Sequence, residues 1–142
     1  MFPSNAVNSY LYMRVCAQGE IYEEGKGIKK DYEQAQKFYK MAAGEGMAEA
    51  KYKLGMMYKN GKGLEEDLMK AADLVLDAAN QGYPDAQERM GKFYEKGKGV
   101  GEDHRKAVEY YQKAAKQGHE RAKDHLRRLN ELGDAPPGWN EE

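Results

Sequence analysis

The sequence predicts an all-α protein, an α-solenoid of antiparallel helix pairs repeated in tandem. Three observations carry this. Gly25-Lys26-Gly27 recurs as Gly61-Lys62-Gly63 and as Gly97-Lys98-Gly99, at a constant offset of 36 residues. Apolar residues inside each unit fall at spacings of three and four, the period of an amphipathic helix. Small residues hold fixed places in the same register: Gly19, Gly55 and Gly91, then Ala35, Ala71 and Ala107, then the pairs Ala42-Ala43, Ala78-Ala79 and Ala114-Ala115. One helix pair cannot bury its apolar face alone, so such units must stack on one another.

The first helix of a unit is clearest in the second copy, where Ala50, Leu54, Met57 and Tyr58 form a stripe. Gly55 inside it costs about 1 kcal/mol relative to alanine. Its recurrence as Gly19 and Gly91 predicts a neighbouring helix too close for a Cβ, with the Ala-Ala pairs supplying the other side of that contact. The Gly-Lys-Gly turn follows, and then Asp31, Asp67 or Asp103, each placed to cap the second helix by accepting a backbone N–H bond. Asp31 with Gln34 forms a capping-box pattern. The second helix then shows Tyr32, Ala35, Phe38, Tyr39, Ala42 and Ala43 on one face, with copies beginning at Leu68 and His104. Gly46, Gly82 and Gly118 stand where a left-handed turn would end it. The expected organisation is one array over residues 4–132, with repeats near 12–47, 48–83 and 84–119. A capping helix at 120–132 keeps Ala122 and Leu126 in register. Residues 133–142 form a tail whose prolines forbid helix, and its Trp139 either folds back or docks into another molecule.

Composition bounds the function. Of 142 residues, 40% are hydrophobic and 33% charged, which is globular rather than disordered. A net charge of −1 gives no overall bias toward nucleic acid or an anionic membrane, so neither is an expected partner. No apolar run approaches the roughly 20 residues of a membrane span. Met1 to Tyr10 lacks a basic lead followed by an apolar stretch, so no secretory signal is read there. The expected location is cytoplasmic, with a processed exported form as the alternative. The single cysteine, Cys16, excludes an internal disulfide framework.

These residues resemble the Sel-1-like repeat family, a relative of the tetratricopeptide repeat. Ala50, Leu54, Gly55, Tyr58, Gly61, Gly63, Leu64, Asp67, Ala71, Ala78, Ala79 and Gly82 follow its pattern in the second unit. The third unit follows it from Ala86 to Gly118, including the aromatic pair Tyr110-Tyr111. The first departs at Arg14 and Gln18, where the family has alanine and leucine, as an N-terminal capping helix would. The resemblance implies a right-handed superhelix and an adaptor or scaffold that recognises proteins.

It also implies a concave groove lined by the first helices. With Leu54, Gly55 and Tyr58 as anchors, Glu49, Tyr52, Met56, Lys59 and Asn60 would face that groove in the second unit. The same register gives Met13, Cys16, Glu20, Glu23 and Glu24 in the first unit. In the third it gives Asp85, Glu88, Lys92, Glu95 and Lys96. These positions differ between units while the packing positions do not, as expected if they serve a ligand. Tyr52, Met56 and Met13 are candidate apolar contacts, although Tyr52 and Met56 could equally fill a gap between units. A second surface, from His104 to Arg128, carries eight cations against three anions. An acidic partner or a solvated face would both account for it.

Catalytic readings find little to build on. The Gly-Lys-Gly turn lacks the lysine-hydroxyl ending of a phosphate-binding loop and recurs between helices, so it reads as a structural turn. The only serines are Ser4 and Ser9, neither begins a Ser-x-x-Lys motif, and there is no threonine. Cys16 belongs to the first unit and the histidines to the third unit and cap, too far apart for a nucleophile–base pair. Cys16 reads as a partly buried small hydrophobe. His104 is expected to edge the core, with His119 in a loop and His125 on another face, so no metal site is expected. No cofactor is expected either. The reading is a non-enzymatic module that binds a peptide or protein in its groove. The alternative is a small inhibitor or immunity protein that blocks a cognate toxin or enzyme.

Overall fold

The computed structural model describes residues 4–133, with side chains from residue 9 onward; Trp139 and the tail beyond Gly133 lie outside the described residues. Those residues form seven α-helices and no strand: α1 (Ser4–Glu24), α2 (Tyr32–Gly44), α3 (Ala48–Asn60), α4 (Leu68–Asn80), α5 (Pro84–Lys96), α6 (His104–Lys116) and α7 (Glu120–Glu131). Helices pair as α1/α2, α3/α4 and α5/α6, and each pair packs on the next through α2 on α3, α4 on α5 and α6 on α7.

The capping chemistry is what the sequence leads one to expect. Asp31, Asp67 and Asp103 have extended backbones, and their carboxylates accept from the N–H groups of Gln34, Lys70 and Lys106 at 3.0–3.1 Å. Each satisfies one donor the helix cannot pair internally, worth about 1 kcal/mol. At the other end Gly46, Gly82 and Gly118 have φ of +88°, +94° and +89°, where a Cβ would clash with the backbone.

Inside each pair the helical glycine is covered by a large side chain, not by an Ala-Ala pair as the sequence suggested. A Cβ on Gly19 would stand 2.6 Å from Cε1 of Tyr39, and one on Gly55 would stand 2.8 Å from Cγ2 of Val75. On Gly91 it would meet the ring of Tyr111 closer still. The glycine is a slot for residue 39, 75 or 111, and these residues are fully buried. The alanines Ala42, Ala78 and Ala114 are buried as well, with Phe93, Met57, Met90 and Leu126 filling the rest of the core.

Units join through the second glycine of the loop. A Cβ on Gly63 would lie 2.6 Å from Cβ of Tyr32, and one on Gly99 would collide with the carbonyl of Leu68. Each loop therefore presses onto the first turn of the preceding unit's second helix. His104 occupies the matching place in the third unit, and the position one repeat after Gly99 lies outside the described residues. It is exposed, not at the core edge, and lies 3.1 Å from Glu102.

Candidate functional site

The first helices stand side by side, tied by side chains that reach from one to the next. Lys53 on α3 pairs with Glu20 on α1 at 2.5 Å. The Arg89 guanidinium on α5 acts electrostatically on the Tyr52 hydroxyl on α3. His125 and Arg128 on α7 reach Glu88 and Glu95 on α5 at 2.9 and 2.8 Å. The helices α1, α3, α5 and α7 thus form one continuous surface.

On it, Met13, Glu24, Asn60 and Lys96 are exposed. Half-buried are Glu20, Glu23, Glu49, Tyr52, Met56, Lys59, Asp85, Lys92 and Glu95. Cys16 and Glu88 are not on the surface at all, each being 1% exposed. Their register position, shared with Tyr52, points along the stack toward the adjacent first helix. Cys16 joins the first core cluster, and burial pushes its thiol up to about 12, with Glu49 adding to the shift and Lys53 opposing it. Tyr52 packs against Tyr83, ring centroids 5.4 Å apart, and against the second core cluster. Its ring therefore fills space between units.

Most of the acids in this set are committed internally. Glu23 accepts the hydroxyl of Tyr39 at 2.6 Å, and Glu95 accepts that of Tyr111 at 2.8 Å. Burial pushes the Glu95 carboxyl up, but the bonds from Arg128 and Tyr111 outweigh it and hold it below the usual carboxylate value. Glu88 behaves alike: burial is opposed by the His125 bond and by Arg89 and Arg121, and the net direction is down. Asp85 meets Nε2 of His119 at 2.7 Å and Arg121 at 3.6 Å. His119 also caps α7, its Nδ1 accepting from the N–H of Ala122, and His125 stacks on Tyr111 at 4.6 Å. Both histidines reach α5, whereas the sequence reading set them on different faces. Among the described residues no group of three or more His, Cys, Asp or Glu is placed to hold a metal ion.

The middle unit breaks the tyrosine–glutamate pattern on both sides. Val75 stands where the other units have tyrosine, and Lys59 where they have glutamate. Lys59 accordingly joins Arg89, Lys92, Lys96 and Lys98 around Phe93, in a depression between α3 and α5. Sequence reasoning placed Lys59, Lys92 and Lys96 individually but missed Arg89, Lys98 and their convergence. The paired exchange at positions 59 and 75 was the available signal. The other basic stretch is largely occupied: Arg121, Lys123, Arg127 and Arg128 contact acids, while Lys106 and Lys113 lie over Tyr94 and Tyr110.

The Sel1 repeat family profile matches residues 12–47, 48–83 and 84–119. The chain belongs to the Sel1 repeat family, a class of helical, tetratricopeptide-like repeats that are generally protein-interaction modules of scaffold type. No curated protein sequence matches it. Among solved structures it is similar to c5321, a protective antigen of uropathogenic Escherichia coli strains with an SLR fold. Identity there is 34% and the TM-score 0.83, over 90% of this chain and 27% of that one. A Sel1 repeat protein from Oxalobacter formigenes shares 28% identity at TM-score 0.81, over 87% of this chain and 49% of that one. Helicobacter pylori cysteine rich protein B shares the fold, with 24% identity and TM-score 0.67 over 85% of this chain and 92% of that one. The chain spans about a quarter of the first of these and half of the second. No described helix is long and apolar enough to cross a membrane.

Proposed function

We propose that this chain is a non-enzymatic cytoplasmic interaction module that binds a peptide or protein segment along the surface of its first helices. One observation carries the reading. The glycines, alanines and aspartate caps that pack each helix pair repeat from unit to unit, whereas the outward residues of α1, α3 and α5 do not, although all stand on one continuous surface. Glu20, Met56 and Lys92 share one register position, as do Glu24, Asn60 and Lys96. Packing fixes the first class of positions; of the second, Glu20 alone is tied to the neighbouring first helix, through Lys53. An interface built there would draw on Met13 and Met56 for apolar contact and on the flanking charges for orientation.

The test is affinity capture from the native source with three baits of equal helicity. Met56→Asp with Asn60→Asp alters the first-helix surface, and Met41→Asp with Met69→Asp alters exposed methionines of the second helices. The first-helix variant should lose the partner that the wild type and the second-helix variant retain. Loss confined to the second-helix variant would place the interface elsewhere.

A further inference from the structure

Acidic side chains on the first-helix surface have side-chain partners at two of its three junctions. Between α1 and α3, Glu20 takes Lys53, and Lys62 on the following loop takes Glu23. Between α5 and α7, His119, His125 and Arg128 take Asp85, Glu88 and Glu95. Between α3 and α5 the pattern fails. Lys59, Arg89, Lys92, Lys96 and Lys98 converge there, and none of them makes an ion pair among the described residues. The acids that act on them do so without an ion pair: Glu66 on Lys59, and Glu88, already bonded to His125, on Lys92 and Arg89.

This convergence has a cost that the fold does not require. Desolvation first, and then repulsion by Arg89, Lys96 and Lys98, hold the Lys59 ammonium below its ordinary value. Lys92 is lowered by desolvation and then by Arg89, Lys96 and Lys59. The Nε of Arg89 is buried without a hydrogen-bond partner. Units one and three show that the same backbone accepts a glutamate at the position of Lys59, bonded to a tyrosine hydroxyl. The middle unit gives up both members of that bond and gains an uncompensated cation.

We propose that the depression between α3 and α5 is a binding site for a phosphoryl group carried by the partner's peptide segment. It is a small depression of about 60 Å³ lined by Phe93 and the five cations, with room for a compact oxyanion. A single carboxylate would offset one of five positive charges there, whereas a phosphate dianion offsets two and offers acceptor oxygens to several donors at once. Lysine ammoniums, free to rotate on long stems, suit such a compact target. The peptide part of the proposal rests on the interaction reading above; the anion site does not.

The experiment titrates the full chain with inorganic phosphate, acetate, a phosphoserine peptide, its unphosphorylated form and a short single-stranded oligonucleotide, following lysine side-chain NMR signals and heat. Phosphate should bind at least about tenfold more tightly than acetate, and the phosphopeptide at least about tenfold more tightly than phosphate, both weakening as salt rises. Lys92→Gln with Lys96→Gln should reduce phosphate affinity about tenfold or more. Lys59→Glu with Val75→Tyr, which restores the pattern of the neighbouring units, should do the same with the fold intact. Lys113→Gln with Lys116→Gln should change nothing. Absence of phosphate binding, or equal loss in all three variants, overturns the site. Phosphate binding with no gain for the phosphopeptide overturns the peptide-borne ligand, and a short single-stranded oligonucleotide binding more tightly than the phosphopeptide overturns it in favour of nucleic acid. Partner capture is read separately, so failure of the interaction reading leaves the phosphate titration standing, and the reverse holds.

Discussion

Replacing Gly91 with alanine sets two opposed effects against each other, and the structure decides between them. In a free helix the change is favourable by about 1 kcal/mol, because alanine loses less backbone freedom. Here the new Cβ would fall against the Tyr111 ring. That ring cannot move aside: it is fully buried, its hydroxyl donates to Glu95 at 2.8 Å, and His125 stacks on its face at 4.6 Å. Overpacking a rigid site costs about 1–3 kcal/mol and sometimes more. With the clash at the upper end and the propensity gain subtracted, Gly91→Ala should destabilise by about 2 kcal/mol. At about 2–4 °C per kcal/mol for a domain of this size, the melting temperature followed by far-UV circular dichroism should fall by roughly 4–8 °C. Gly44→Ala is the matched control. Gly44 closes α2 with nothing within 4 Å of the added carbon, so that change should raise stability by about 0.4–1 kcal/mol. Adding Tyr111→Leu to Gly91→Ala should make the glycine change cheaper than it is alone. A Gly91→Ala protein as stable as the wild type would refute the slot-and-ring account.

Two further outcomes follow from the buried titratable groups. The carboxyls of Glu88 and Glu95 sit below their ordinary value in the folded chain, so their contribution is fully present above the unfolded value and is lost as pH falls through the folded one. Melting temperature measured from about pH 6 down to about pH 2.5 should therefore drop less steeply for Glu95→Gln than for the wild type; parallel curves would refute the assignment. The Cys16 thiol, pushed up from 9.0 to about 12, should carry about a thousandfold less thiolate than an exposed cysteine. It should resist iodoacetamide at mildly alkaline pH until urea unfolds the chain, and rapid native labelling would show that the site opens.

The sequence read the fold well because repetition turns each fixed residue into three observations. The aspartate caps and the glycine turns each have a local cause, and the structure reproduces them. What was misread depended on neighbours in space. The glycine of the first helix plainly marked a close approach, but the occupant of the space could be Tyr39, Val75, Tyr111 or an alanine pair, since all stand on the facing helix. The register sets Cys16 and Glu88 outward because a helical wheel cannot tell the direction of solvent from that of the next helix in a stack. Their chemical dissimilarity hid the fact that both are buried. The basic depression escaped notice because Arg89 and Lys98 lie outside the positions a single helix face would group together.

The loop glycines Gly63 and Gly99 bear on how arrays of this kind change length. Each presses on the unit before it at one fixed spot, the head of the second helix, and that spot is Tyr32 in one case and Leu68 in the other. The joint tolerates an aromatic or an aliphatic residue because it is set by backbone proximity. Duplication or loss of 36 residues would therefore produce another joint of the same kind, with no new contact to be invented. Such a chain can be lengthened, shortened or recombined in whole steps, while its outward-facing residues diverge independently in each copy.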